Sequence, residues 1–366
     1  MEKMVENRPF EPKPGSLYAR EVKSQLMKVV LVVALYLVTQ IIIGGVIQAV
    51  IIFSSGEFMN SILEGVSGGG MPNYNELIES SMGPVQEMLS THVGLITIIS
   101  TVAGLPVFLL LRGRRLFTTD LTRTFAPLSG MSFMKLWIIA MGAQLIFGVG
   151  TSLINMALEN SGHSVTALLE QSMKMLQTPS GLLYICLIGP IAEEIIFRGA
   201  IMRSLERFGL NFSIVISSLI FGLFHIFTVQ AVFAFFMGLI LGYIASRYSI
   251  KWSIIAHILI NSVATGLDAF GGIGSGSEGT RPFSEIANVI LAIFLIGGIA
   301  LLYQERWRIA EQKAVGAPIR IPGSPERVGP ALWGAAFTSI PMLAYIAVTV
   351  AAGIAMILMP SFRMPF

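Results

Sequence analysis

Nine apolar stretches, each long enough to cross a bilayer, constrain this chain more than any other feature. They fall at 27–53, 93–111, 136–157, 181–203, 211–228, 229–246, 252–270, 284–303 and 331–359. The hydrocarbon core of a membrane is about 30 Å thick and takes about 20 apolar residues of helix to cross. It holds no water to solvate backbone N–H and C=O groups, so a crossing segment must pair them internally, as a helix does. The chain therefore reads as all-α: a polytopic membrane protein with about nine transmembrane helices. Composition agrees, since 12% of residues are charged, against about 25% in a soluble domain. The one cysteine, Cys186, lies in an apolar run and leaves no disulfide framework and no cysteine-based metal site.

Charge placement sets the orientation. With the N-terminus in the cytosol, every Lys and Arg except Lys174, Arg281 and Arg363 falls in a cytosolic segment or toward the cytosolic end of a span, as the positive-inside rule demands. The first external loop, 54–92, has five glutamates and no Lys or Arg. A net charge of +3 is too small to suggest a nucleic-acid partner. The expected organisation is a cytosolic tail (1–26), N-terminal spans with the acidic external loop (27–180), a membrane core (181–270) and C-terminal spans (284–366). A Pro/Gly-rich cytosolic linker, "AVGAPIRIPGSPERVGP", occupies 314–330. The tail is polar and the first apolar run too long for a signal peptide, so the first span is expected to be retained and the tail loosely ordered. The expected location is the plasma membrane, multi-pass, with the lipid bilayer as solvent.

Few ionisable groups remain at depth, and they cluster: Glu193, Glu194 and Arg198 in "GPIAEEIIFR", His225 in "FGLFH" and His257 in "HILIN". A charge at the centre of a membrane helix costs roughly 2.5–3.5 kcal/mol on insertion scales, so such residues are usually paired or functional. Pro190 has no N–H to donate, so the helix is expected to kink or restart at Gly189–Pro190. That would place both glutamates near a helix N-terminus, where negative charge is favoured. Neighbouring residues point about 100° apart on a helix. Glu194 can thus pair with Arg198 at i,i+4 while Glu193 faces a cavity, as a general base must. Phe221 lies one turn before His225, and His257 one turn before Asn261.

A lone membrane His or Asn is more often an interhelical hydrogen-bonding group than a catalyst, and a Glu–Arg pair alone is usually structural. Their concentration in one short stretch changes that balance. A carboxylate, two imidazoles and a carboxamide suffice to activate water and hold an oxyanion, and the same groups can bind a metal ion. Depth fits less easily. At 1.5 Å per residue His225 lies about 21 Å along its helix from Asn211, and His257 about 9 Å from Lys251. Either the turn "FTVQAV" (227–232) is tucked into the membrane, or the fifth helix is strongly tilted. Gly238 and Gly242 form a small-xxx-small pair that would let another helix approach closely.

Taken in order, Glu-Glu-x3-Arg, Phe-x3-His and His-x3-Asn resemble the motifs of the CAAX-protease and bacteriocin-processing (CPBP, or Abi) family of intramembrane proteases. The resemblance covers roughly 181–270. It implies that Glu193 activates water with help from His225. His257 and Asn261 would stabilise the tetrahedral oxyanion or complete the site, and Glu194 and Arg198 would hold its geometry. It leaves open whether zinc takes part: Glu193, His225 and His257 could supply three ligands and an open position, or glutamate and histidine could act alone. The implied substrate is a peptide or membrane protein. No His-Glu-x-x-His or Gly-x-Gly-Asp signature of another protease class is present, and the one Gly-x-Ser-x-Gly match, Gly65–Gly69, lies in the glycine-rich external loop and makes no serine elbow. One rival is a proton-coupled secondary transporter, which also uses buried carboxylates and interrupted helices. It would be expected to show a second, matching interruption, which the chain lacks. A non-catalytic scaffold or immunity protein would have no need of all three motifs.

Overall fold

The computed structural model describes residues 15–54, 56, 60, 74–159, 178–226, 228–271, 281–314 and 329–358. The first part of the tail, His163, Lys174, most of the acidic external loop and the linker from 315 to 328 lie outside them. Among the described residues there are helices and no strand; one isolated bridge joins Thr124 to Ser249. The elements are α1 (Gly15–Ser54), α2 (Tyr74–Gly104, continuing as tighter and then regular turns to Arg112), α3 (Gly130–Glu159), α4 (Pro179–Phe208), α5 (Leu210–Phe224), α6 (Thr228–Arg247), α7 (Ile250–Gly271), α8 (Arg281–Ala314), α9 (Pro330–Phe337) and α10 (Ile340–Leu358). This is an all-α, multi-pass membrane protein.

Among the described residues, eight helices are long and apolar enough to cross a bilayer, one fewer than the sequence suggested. The exception is the fifth: α5 has 15 residues, about 22 Å of helix. It pairs closely with α6 to make a hairpin, so both of its ends return to the same side and the charge-based orientation is unaffected. The ninth apolar stretch is also divided, because α9 stops at Phe337 and α10 starts at Ile340. Pro341, with no N–H, suits the first turn of the new helix, and the Ser339 hydroxyl donates to the Ala336 carbonyl at the break.

α1 starts well before its apolar run. Val22 and Leu26 are fully buried, and the cytosolic end of α4 holds this extension: Tyr18 Oη donates to the Arg207 carbonyl, and Arg207 Nη2 donates to Gln25 Oε1, both at 3.1 Å. The part of the tail expected to be loose is therefore helical from Gly15. Two apolar clusters flank the polar motifs. One joins α1 (Val29, Val33, Tyr36) to α4 (Phe197, Ile201, Leu205), α5 (Phe212, Ile216) and α9–α10 (Ala336, Met342). The other joins α3 (Ala140, Met141) to α6 (Met237, Leu241) and α7 (Ala256, Ile260). Glycines set the closest approaches: a side chain on Gly238 would meet Ser218, and one on Gly242 would meet Ile214. The pair read as a packing motif is therefore the α5–α6 contact.

Candidate active site

α4 carries the first motif. Thr178 caps its start, accepting at Oγ1 from the Gly181 N–H at 3.0 Å, with Pro179 in the first turn where its missing donor costs nothing. The helix does not break at Gly189–Pro190. It widens instead into an i→i+5 turn over Tyr184–Ile188, in which the Gly189 N–H reaches the Tyr184 carbonyl. A second widened stretch runs from Glu194 to Met202. Such turns make room for a proline ring and re-aim the side chains that follow, and they gather at functional sites. The expected restart at Pro190 is thus corrected: Glu193 and Glu194 lie inside a continuous helix, so no helix N-terminus stabilises them.

The two glutamates are placed as their 100° separation requires. Glu194 is completely buried and Arg198 is 1% exposed. Burying an ion costs several kcal/mol unless partners replace its hydration, and Glu194 has three. Arg198 Nη1 donates at 2.7 Å, His257 Nδ1 lies at 3.0 Å, and Ser253 Oγ donates from α7. Arg198 is held in turn by the Gly238 carbonyl, 3.3 Å from Nη2, and lies 4.5 Å from the centre of the Phe221 ring. That contact adds cation–π attraction to the ion pair. Glu193 has none of this shell. Its side chain is 19% exposed, and its Oε2 faces His257 Nε2 at 3.6 Å.

His257 therefore stands between two neighbouring carboxylates. An ionised Glu194 accepts only, so His257 Nδ1 is the donor in that bond, and a neutral ring then presents the lone pair of Nε2 toward Glu193. The same reasoning fixes His225, whose Nδ1 donates to the Phe221 carbonyl at 2.9 Å. Phe221 is the hub of the group, edge-on to both imidazoles, with ring centres 4.8 Å from His225 and 6.1 Å from His257. The short α5 thus links its histidine to α4 and α7 through the Phe221 ring. Asn261, a turn beyond His257, turns its amide to α4 and donates from Nδ2 to the Ile185 carbonyl at 3.1 Å.

The seven residues of the motifs are brought together by α4, α5 and α7, His225 by way of the Phe221 ring. Reading the sequence missed Ser253, although its spacing of four from His257 puts it on the same face. It also missed a polar cluster from α1 and α2, where Gln40 Nε2 donates to Tyr36 Oη and Thr101 Oγ1, each at 3.0 Å. Tyr36 is buried with its ring where a side chain on Gly104 would sit, and the Tyr184 ring packs over Gly189. No spacing rule links residues so far apart in the chain.

The donor chemistry suits a metal ion, since both imidazoles are hydrogen-bonded through Nδ1. The arrangement does not: among the described residues no three His, Cys, Asp or Glu side chains converge to hold one.

The class that the fold and the site define is a polytopic membrane protein with a buried carboxylate–imidazole cluster where its helices meet. Residues 176–263 match the family described as type II CAAX prenyl endopeptidase Rce1-like. The matched segment includes every residue of the three motifs. No curated protein and no solved structure matches the chain.

Proposed function

We propose that this protein is an intramembrane endopeptidase that hydrolyses a peptide bond of a peptide or membrane-protein substrate, with Glu193 as the general base. The observation that carries this reading is the unequal treatment of adjacent carboxylates. Glu194 is fully buried and used up by Arg198, Ser253 and His257, whereas Glu193 is open at 3.6 Å from His257 Nε2. A separation just beyond hydrogen-bonding range suits a bridging water, which can donate one hydrogen to each acceptor.

The reaction then runs on this chain's own groups. Glu193 takes a proton from the water as its oxygen attacks the substrate carbonyl carbon. We assign the new oxyanion to His225, which donates through Nε2 when protonated at both nitrogens. It is not assigned to His257 and Asn261, as the resemblance implied, because their polar atoms face Glu193, Glu194 and the Ile185 carbonyl. Glu193 returns its proton to the departing nitrogen, the C–N bond breaks, and an acid and an amine leave. Glu194 and Arg198 keep His257 in one tautomer and one orientation. The setting we propose is the plasma membrane.

Comparison of wild type with Glu193→Gln in the host, at matched protein levels, tests this. Membrane and supernatant proteomes should show defined peptides lost and an intact precursor accumulating in the variant. Undiminished cleavage in Glu193→Gln removes the assignment, and a change confined to proton or solute flux favours a transporter.

A further inference from the structure

The Ile185 carbonyl has lost both of its possible helical donors. In regular α register it would pair with the Gly189 N–H, but that group is committed to the Tyr184 carbonyl. In the i→i+5 register of this turn its partner would be the nitrogen of Pro190, which carries no hydrogen. A buried carbonyl left unpaired is costly, and membrane helices tolerate proline where a neighbouring helix supplies the missing donor. Here the donor is Asn261 Nδ2, reaching across from α7 at 3.1 Å. The bond ties α7, one turn beyond His257, to α4 one turn before the proline that precedes Glu193.

We propose that Asn261 is a positioning residue that substitutes for the absent N–H of Pro190, and so sets the distance between Glu193 and His257. Pro190 and Asn261 form a compensated pair, each tolerable because of the other. Asn261 thus acts through α4. The proposal rests on the endopeptidase reading for its catalytic consequence and on geometry alone for the pairing.

A double-mutant cycle on the full chain separates the two. Pro190→Ala restores an N–H to the turn, and Asn261→Leu removes the donor while keeping most of the volume. In peptide cleavage, Asn261→Leu should lower kcat by about ten- to hundredfold with KM nearly unchanged, the size expected for one hydrogen bond to a buried group. In the Pro190→Ala background the same change should cost at least tenfold less. Cys186, the only cysteine and partly exposed in the same turn, gives an activity-independent readout. Its alkylation by a membrane-permeant maleimide should quicken several-fold in Asn261→Leu and return toward the wild-type rate in the double variant. Equal losses of kcat in both backgrounds, or alkylation rates that ignore residue 190, overturn the proposal. Unaltered protein that cleaves nothing while the alkylation cycle still shows coupling would sink the endopeptidase reading and leave the pairing standing.

Discussion

Ser253 contributes one hydroxyl to the site, and it is shared: the oxygen donates to Glu194 Oε2 and also lies 3.0 Å from the Leu241 carbonyl. Removing it leaves a fully buried carboxylate with two donors in place of three. Ser253→Ala should therefore cost about 1–3 kcal/mol of stability, read as a lower thermal midpoint in detergent, and should lower kcat several-fold as His257 loosens. A variant matching wild type in both would mean that Arg198 and His257 alone satisfy Glu194. At this scale the sequence carried much of the site, because the costly side chains of α4, α5 and α7 stand out against apolar neighbours. The i,i+4 spacing also pointed to Glu194 as the paired carboxylate, but it could not show how completely that group is satisfied. That depended on Ser253, a residue unremarkable in a membrane helix, and on the Gly238 carbonyl, which has no side-chain signature.

The α5–α6 hairpin decides whether His225 can join the site. α5 spans about 22 Å, short of the roughly 30 Å hydrocarbon layer, and the chain reverses through His225 and Ile226. Ile226 has φ 55°, a left-handed conformation that costs a β-branched residue of order 1–3 kcal/mol and persists where the surroundings impose it. We propose that the hairpin tip lies within the membrane. A cysteine at Thr228, in a Cys186→Ser background, should resist an impermeant maleimide applied from outside and react with a permeant one. Ready labelling from outside would place the tip in water. The apolar pattern gave the existence of this hairpin but overstated its first arm, because hydropathy does not register where a chain reverses within an apolar run. Pro190 misled in the opposite direction: read as a break, it lies inside a helix that widened to accept it, with a donor lent from α7.

Across the whole molecule, the family-matched segment is only part of what builds the site. Tyr36, Gln40 and Thr101 come from α1 and α2, and the apolar cluster behind Phe197 includes α1, α9 and α10. The cytosolic ends are tied by charge: Arg112 pairs with Asp120 at 2.8 Å, while Arg123 and Arg203 both pair with Glu206. Their aromatic neighbour Phe125 lies under both guanidiniums, at 4.3 Å and 5.1 Å. The orientation predicts opposite accessibility for two exposed threonines at the ends of the second span. In the same cysteine-free background, Thr91→Cys should label from outside in intact cells and Thr119→Cys only from the cytosolic side; the reverse pattern would invert the topology. Charge bias was visible in the chain from the start. The tertiary use of those charges was not, because Arg203 and Glu206 count as loop residues until α6 is seen to cover them.

The pairing of Glu194 with Arg198 within one helix also bears on how the protein is made. Neutralisation of a buried carboxylate by a later span would require α4 to enter the bilayer with a bare charge and wait for its partner to be synthesised. At i,i+4 the counter-ion lies one turn away on the same segment, so α4 can carry its own neutralising charge through the translocon before α7 exists. The ion pair that later steadies His257 thus first serves to admit the helix to the membrane.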